Sequence, residues 1–233
     1  HIPVFCEKYG VDCHVGAWID RDAKRNALEV KKLIEFGSGK YKHVKSLIVG
    51  NEVLHRGELK ESQIIDFVRR VKKQTKVPVT VAEPAYVWQK HPKLAEEVDF
   101  IMAHIYPYWN GVPIEKAVEA TINEYEQLRK KYPGKRIVIG EAGWPTAGAK
   151  RGGAVCSEAN LARYLPELTK ACAAKKIELI YFCAFDENWK VDFAPKVEAH
   201  WGLYFANGQP KPAVKHLLPA DALKSIRRTP TPE

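Results

Sequence analysis

Leu47-Ile48-Val49-Gly50-Asn51-Glu52 is a short apolar, β-branched run that closes on glycine, an amide and a carboxylate. Such a run reads as a buried strand of a parallel sheet whose carboxyl end opens into a site. Arg136-Ile137-Val138-Ile139-Gly140-Glu141 repeats the grammar: a basic start, an apolar run, then Gly and Glu. Two strands of one chain thus each deliver a glutamate at the same end. Paired carboxylates so placed are the minimum equipment for cleaving a glycosidic bond, one as general acid/base and one as nucleophile or base.

On either side of these strands the chain alternates strand and helix. Asp12 to Ile19 reads as a strand, and Asp20 as the cap of a helix from about Asp22 to Phe36. Val44 to Asn51 is the next strand and Ser62 to Gln74 the next helix, with Ile64, Ile65, Phe67, Val68 and Val71 on its apolar face. Then follow a strand at Val77 to Ala82, a short helix at His91 to Glu97, and a strand at Asp99 to Tyr106. Ile114 to Lys131 is a long amphipathic helix, Arg136 to Glu141 a strand, Ser157 to Lys175 a helix and Glu178 to Phe185 a last strand. His1 to Lys8 reads as a helix end or a loop, and a short helix is expected near Ala213 to Leu217. Residues 1–217 are read as the folded domain and 218–233, ending Thr229-Pro230-Thr231-Pro232, as a tail or linker.

Strict alternation means an α/β fold with a parallel sheet and right-handed crossovers. No GxGxxG or GxxxxGK follows any strand, which removes the main sign of nucleotide binding in an open sheet. Polar and aromatic residues instead gather after many strands, at Trp18 and Asp20, Asn51 and Glu52, Glu83, Tyr106 to Trp109, Glu141 with Trp144, and Asp186 to Lys190. A site built from the ends of all strands is the behaviour of an α/β barrel. Six strands are visible, where a closed barrel has eight.

Composition narrows the function less than the motifs do. The 233 residues are 45% hydrophobic, enough for a sizeable core, and no apolar run is long enough to span a membrane. The five cysteines, Cys6, Cys13, Cys156, Cys172 and Cys183, show no metal spacing and read as ordinary thiols; Cys6 with Cys13 is the one locally plausible bridge. The net charge of +9 is carried by lysines mixed with glutamates along helices. Without an RNA-binding or zinc-finger signature it reads as a solvated outer surface and not as a nucleic-acid interface.

Four motifs, VGNEVLHRGEL (Val49 to Leu59), HIYPYW (His104 to Trp109), IGEAGWPTAG (Ile139 to Gly148) and FDENWK (Phe185 to Lys190), resemble the family 17 glycoside hydrolases, β-1,3-glucanases and β-1,3-glucan transglycosylases. HPKLAEEVDFI and AHWGLYFANGQPK are similar to the bacterial branch, whose members are often fused to membrane-bound glucan synthases, so a larger polypeptide is expected. The resemblance implies a (β/α)8 TIM-type barrel of which this chain carries the last six βα units, an N-terminally incomplete barrel domain. It further implies a β-1,3-glucan or oligosaccharide substrate, no cofactor and no metal, and a secreted or periplasmic location. The alternative is a catalytically impaired, truncated barrel that serves as a glucan-binding or scaffold module.

Carried onto this sequence, the resemblance makes Glu52 the general acid/base and Glu141 the nucleophile of a retaining double displacement. An acid in that role is expected to have a raised pKa. Asn51 is expected to touch the sugar's 2-hydroxyl. A regular strand would point Asn51 and Glu52 to opposite sides, so the backbone must depart from regularity there. The Tyr106 hydroxyl is expected to hold Glu141, His104 to be hydrogen-bonded nearby, and Trp144 to form an acceptor-side platform for a glucose ring. Glu187 and Lys190 match a pair that binds sugar hydroxyls and the carboxylates. Trp189, Trp18, Glu83, Tyr108 and Trp109 are further substrate-site candidates, while Trp88 and Trp201 are expected to pack.

Overall fold

The structure, a computed structural model, describes residues 2–191 and 196–217. Its strands are β1 (Cys13–Ala17), β2 (Val44–Asn51), β3 (Val79–Pro84), β4 (Ile101–His104), β5 (Ile137–Ala142) and β6 (Glu178–Tyr181), hydrogen-bonded in chain order. The pairs β1–β2, β2–β3 and β3–β4 are parallel. The helices are α1 (Ile2–Tyr9), α2 (Ala23–Phe36), α3 (Glu61–Gln74), α4 (Ala85–Lys90), α5 (Pro92–Glu97), α6 (Ile114–Lys131), α7 (Glu158–Lys175) and α8 (Pro212–Lys215). This is the α/β alternation expected from the sequence, with α6 at its expected bounds.

The chain forms two compact units. The first runs through His104 and includes Tyr125–Gly140; the second comprises Ile105–Glu124 and the chain from Glu141 onward. In the first unit β3 is buried along nearly its whole length, as a strand covered on both faces must be. Ile48, Ala82, Phe100, Met102 and Val138 pack together across neighbouring strands. α3 lays its buried face, Ile64, Ile65, Val68 and Val71, on β2 and β3. Each such side chain, fully withdrawn from water, contributes about 1.5–3 kcal/mol. Its polar side holds Arg69 against both oxygens of Glu97 (3.0 and 2.5 Å) and Lys72 against Asp99 at 2.6 Å. Two basic side chains of α3 are thus paired with carboxylates.

The second unit is built around aromatics. Trp144, Tyr108, Tyr164 and Trp201 are almost wholly buried, and the Tyr164 hydroxyl is hydrogen-bonded to Thr121 at 2.8 Å. A fully buried lysine, Lys211, donates to Thr146 Oγ1 (2.6 Å), Asp186 Oδ1 (2.8 Å) and the His200 carbonyl (3.3 Å). A buried ammonium is tolerable only when paired and fully hydrogen-bonded in this way.

Several local expectations need correction. Asp22, not Asp20, caps α2, accepting from the amides of Lys24 and Arg25; Asp20 instead accepts from the Asp22 amide at 2.8 Å. The segment after Pro84, which the sequence assigns to no element, is helical (α4), with the Trp88 indole N–H on the Met102 carbonyl at 2.9 Å. Its aromatic and β-branched residues disguise the helix. β6 stops at Tyr181 because the chain then pairs with Trp201–Tyr204, through Cys183 N to Trp201 O (3.2 Å) and Tyr204 N to Ala184 O (2.8 Å). The amino-terminal segment is a full helix, α1, and all five cysteines are free thiols. The proposed tail, 218–233, lies outside the described residues.

Candidate active site

The end of β2 leaves regular geometry, as the Asn51–Glu52 pair required. Its register with β3 shifts between Ile48 and Asn51, and Gly50 and Glu52 take left-handed φ values of 89° and 54°. A methyl at Gly50 would lie 2.6 Å from Val53 Cγ2, so the position needs glycine for space as well as for φ. Glu52 has no such freedom, and its left-handed backbone costs roughly 1–2 kcal/mol. Hydrogen bonds offset that strain: the Glu52 amide donates to the Ala82 carbonyl at 2.7 Å, and the Arg56 amide to the Glu52 carbonyl at 2.8 Å. The Arg56 guanidinium ties the Asn51 carbonyl, the Ile19 carbonyl (3.1 Å) and Glu58 (2.7 Å).

Two side chains flank Glu52 in this unit. His104, 2% exposed and at the end of β4, shares a hydrogen bond with it, Nδ1 to Oε1 at 2.9 Å. Burial pushes the Glu52 carboxyl upward, but the hydrogen bond and charge of His104, with the charges of His55 and Arg56, outweigh it and leave its pKa lowered. That direction is opposite to the one expected from the sequence, and His104 is the cause. Glu83 has no exposed surface; its two oxygens accept the amides of Leu54 (2.7 Å) and His55 (3.2 Å). Burial raises its pKa to about 7 against the pull of those two amides. Glu83 is therefore not a surface that a sugar reaches.

Trp18, after β1, is 49% exposed and firmly held. Its indole N–H donates to Asp20 (3.2 Å), its amide donates to Glu29 (3.0 Å), and the Arg56 guanidinium sits 4.5 Å from the ring centroid. Arg56, His55 and Tyr86 also stand around Glu52 and Trp18 without being marked out by residue type alone. The first two stand inside the VGNEVLHRGEL motif, which was the available signal; Tyr86, hydrogen-bonded to His55, had none.

In the second unit Glu141 stays within β5, in ordinary extended backbone, and its carbonyl accepts the Ile105 amide at 2.9 Å. The Tyr106 hydroxyl donates to Glu141 Oε2 at 2.7 Å. Tyr106 is wedged edge-on between Phe182 and Trp201, with centroids at 6.0 and 5.1 Å. A methyl at Gly143 would lie 2.1 Å from the Phe182 carbonyl, which fixes the loop that follows the glutamate. Glu187 and Lys190 form an ion pair of 2.6 Å, with the Lys190 ammonium 4.9 Å from the Trp189 ring centroid. Trp189 is 69% exposed. Trp144, expected as a platform, is instead fully buried: its indole N–H donates to the Val155 carbonyl at 2.9 Å and its ring packs on Tyr164 at 5.5 Å. Tyr108 is likewise buried, its hydroxyl donating to Ala149 at 2.6 Å.

The family model described as the BtgE/BtgC glycoside hydrolase domain matches residues 1–202. The chain belongs to this family. The BtgE/BtgC domain is similar to a glycoside hydrolase family 17 β-1,3-glucanosyltransferase from Rhizomucor miehei, at 31% identity and a TM-score of 0.83, over 91% of this chain and 79% of that one. An active-site mutant of the Rhizomucor miehei enzyme in complex with laminaritriose matches at 30% identity and the same TM-score, over the same shares of the two chains. Among curated proteins it is 27% identical to the glucan endo-1,3-beta-glucosidase btgC of Emericella nidulans, over 86% of this chain and 35% of that protein. The domain thus spans about a third of btgC. The family 17 resemblance carried by the four motifs agrees with these matches. The motif glutamates, Glu52 and Glu141, fall at the carboxyl ends of β2 and β5 of this BtgE/BtgC domain.

Proposed function

We propose that this BtgE/BtgC domain acts on β-1,3-linked glucan by a retaining double displacement, with Glu52 as acid/base and Glu141 as nucleophile. The observation that carries the reading is that each motif glutamate lies at the carboxyl end of a strand and has a partner suited to its role. Glu52 has a histidine at hydrogen-bonding distance; Glu141 has a tyrosine hydroxyl that donates to it. In the first step Glu141 attacks the anomeric carbon while the leaving oxygen takes the proton shared by Glu52 and His104. The Glu52 carboxylate then draws a proton from water or an acceptor sugar, which displaces Glu141 and restores the starting charges. The lowered pKa of Glu52 suits this second step. For the first step, the charge that forms on the leaving oxygen draws the proton across from His104. Two carboxylates working this way stand about 5–5.5 Å apart.

Asn51 is assigned to the 2-hydroxyl, and Glu187 with Lys190 to the sugar hydroxyls. Trp18 and Trp189, both exposed and both backed by a cation, offer faces to glucose rings; Trp144 is assigned to packing. A β-1,3-glucan substrate supports a location outside the cytoplasm. The test is turnover of laminari-oligosaccharides by the 233-residue chain, with products resolved by length. Shorter products mean hydrolysis, and products longer than the substrate mean transglycosylation. Binding without turnover would instead make the chain a glucan-binding module.

A further inference from the structure

We propose that Glu83 is a positioning residue, which holds the left-handed turn bearing Glu52 by presenting its buried carboxyl to the amides of Leu54 and His55. This rests on the assignment of Glu52 as acid/base.

Three observations carry it. First, a side chain with 0% exposure cannot touch a sugar, and both Glu83 oxygens are already committed to backbone amides. Second, the turn has an intrinsic tendency to relax, because Glu52 stands at φ 54° without the freedom of glycine. Without Glu83 the amides of the two residues beyond Val53, Leu54 and His55, would lose these acceptors. Third, consecutive residues of β3 tie the turn: the Ala82 carbonyl takes the Glu52 amide, and the neighbouring Glu83 side chain takes those of Leu54 and His55. β3 and β4 are in register there, Glu83 opposite Ala103 and Pro84 opposite His104, and His104 holds the Glu52 carboxyl itself. Backbone and side chain of the acid are thus fixed by adjacent strand ends. Glutamate supplies the reach; aspartate, one methylene shorter, would leave at least one amide unmet.

The charged and titratable groups that face Glu83 are Glu52 and His55 on the turn, His104 at the end of β4, and Tyr86 on α4. Misplacing a reacting group by about 1 Å costs on the order of a hundredfold in rate. Glu83→Gln keeps the size but turns an amide group toward one of the two N–H donors. We expect kcat to fall about 10- to 100-fold with KM within about twofold.

Two further measurements decide the matter. In the wild-type chain, the amide proton shifts of Leu54 and His55 should titrate together, with one midpoint near the Glu83 value of about 7. This needs neither turnover nor a folded variant. In a Glu52→Ala background, with azide and an activated leaving group, adding Glu83→Gln should change the rescued rate less than twofold, since the group being positioned is gone. A rescued rate that falls as far as kcat did, amides that do not titrate together, or an unchanged kcat in Glu83→Gln would overturn the proposal. A wild-type chain with no turnover would overturn the enzymatic reading instead, leaving the amide titration to decide whether Glu83 holds the turn.

Discussion

The ends of β2 and β5 share a sequence grammar but not a backbone. After Gly50 the chain turns left-handed and Glu52 sits in a strained, many-tied turn; after Gly140 the chain stays extended and Glu141 is simply a strand residue. The two glycines differ accordingly. Gly50 supplies both φ and space, whereas Gly140 supplies only space, with Met102 Cγ 2.3 Å from where its Cβ would be. Glu52, which we propose as the acid/base, is held by hydrogen bonds on backbone and carboxyl alike. Glu141, which we propose as the nucleophile, stays in its strand and accepts from the Tyr106 hydroxyl. Similar sequence therefore does not mean similar local mechanics.

Substitution of the glutamates probes this difference most strongly. Glu141→Gln removes the covalent step, and we expect kcat to fall on the order of 10⁵-fold with the fold intact by circular dichroism. Glu52→Ala removes proton transfer and should cost about 10²- to 10⁴-fold. Azide should partly restore turnover of a substrate with a good leaving group. Wild-type rates in either variant would dissolve the assigned roles.

Alanine at the glycines separates backbone strain from crowding. Gly50→Ala adds roughly 1–2 kcal/mol of left-handed strain to an overpacking cost that both sites share, roughly 1–3 kcal/mol. Denaturant unfolding should thus find Gly50→Ala the less stable, and only that variant should also lose kcat through Glu52. Equal losses at the two sites would mean that φ at Gly50 is unimportant.

The smallest effect is one of pH. The folded pKa of Glu83, about 7, lies above its ordinary value of 4.5, so the folded chain binds this proton more tightly than the unfolded chain. Its stabilising contribution is full below about pH 4.5 and is lost as pH rises through about 7. The loss amounts to at most roughly 3 kcal/mol. Glu83→Gln should flatten that part of the stability–pH curve, read as the wild-type minus variant difference; an unchanged difference from pH 4 to 8 would refute the shift.

Much of this arrangement is legible in the residues themselves. Period and punctuation suffice for β2, for α6 and for the two glutamate-bearing strand ends. The demand that Asn51 and Glu52 face one site even forecasts the irregular backbone. What escaped was set by distant neighbours. Whether Trp144 faces solvent depends on Tyr164, Tyr108 and the Val155 carbonyl, which come from other parts of the chain. Glu83 looks like a site carboxylate at a strand end until the amides of Leu54 and His55 are seen to fill its oxygens. The segment 85–90 mixes helix formers, Ala85, Gln89 and Lys90, with aromatic and β-branched residues, and its Trp88 is anchored on β4. The lowered pKa of Glu52 comes from His104, 52 positions away in the chain.

The most direct test is to trap the covalent intermediate. The wild-type chain would be incubated with an activated 2-deoxy-2-fluoro glucoside carrying a β-1,3-linked unit, then digested and analysed by mass spectrometry. Labelling confined to the peptide that carries Glu141, and lost in Glu141→Gln, is the expected result. A label on a different carboxylate, or turnover that proceeds with inversion at the anomeric carbon, would contradict the assignment of Glu141 and the double displacement built on it.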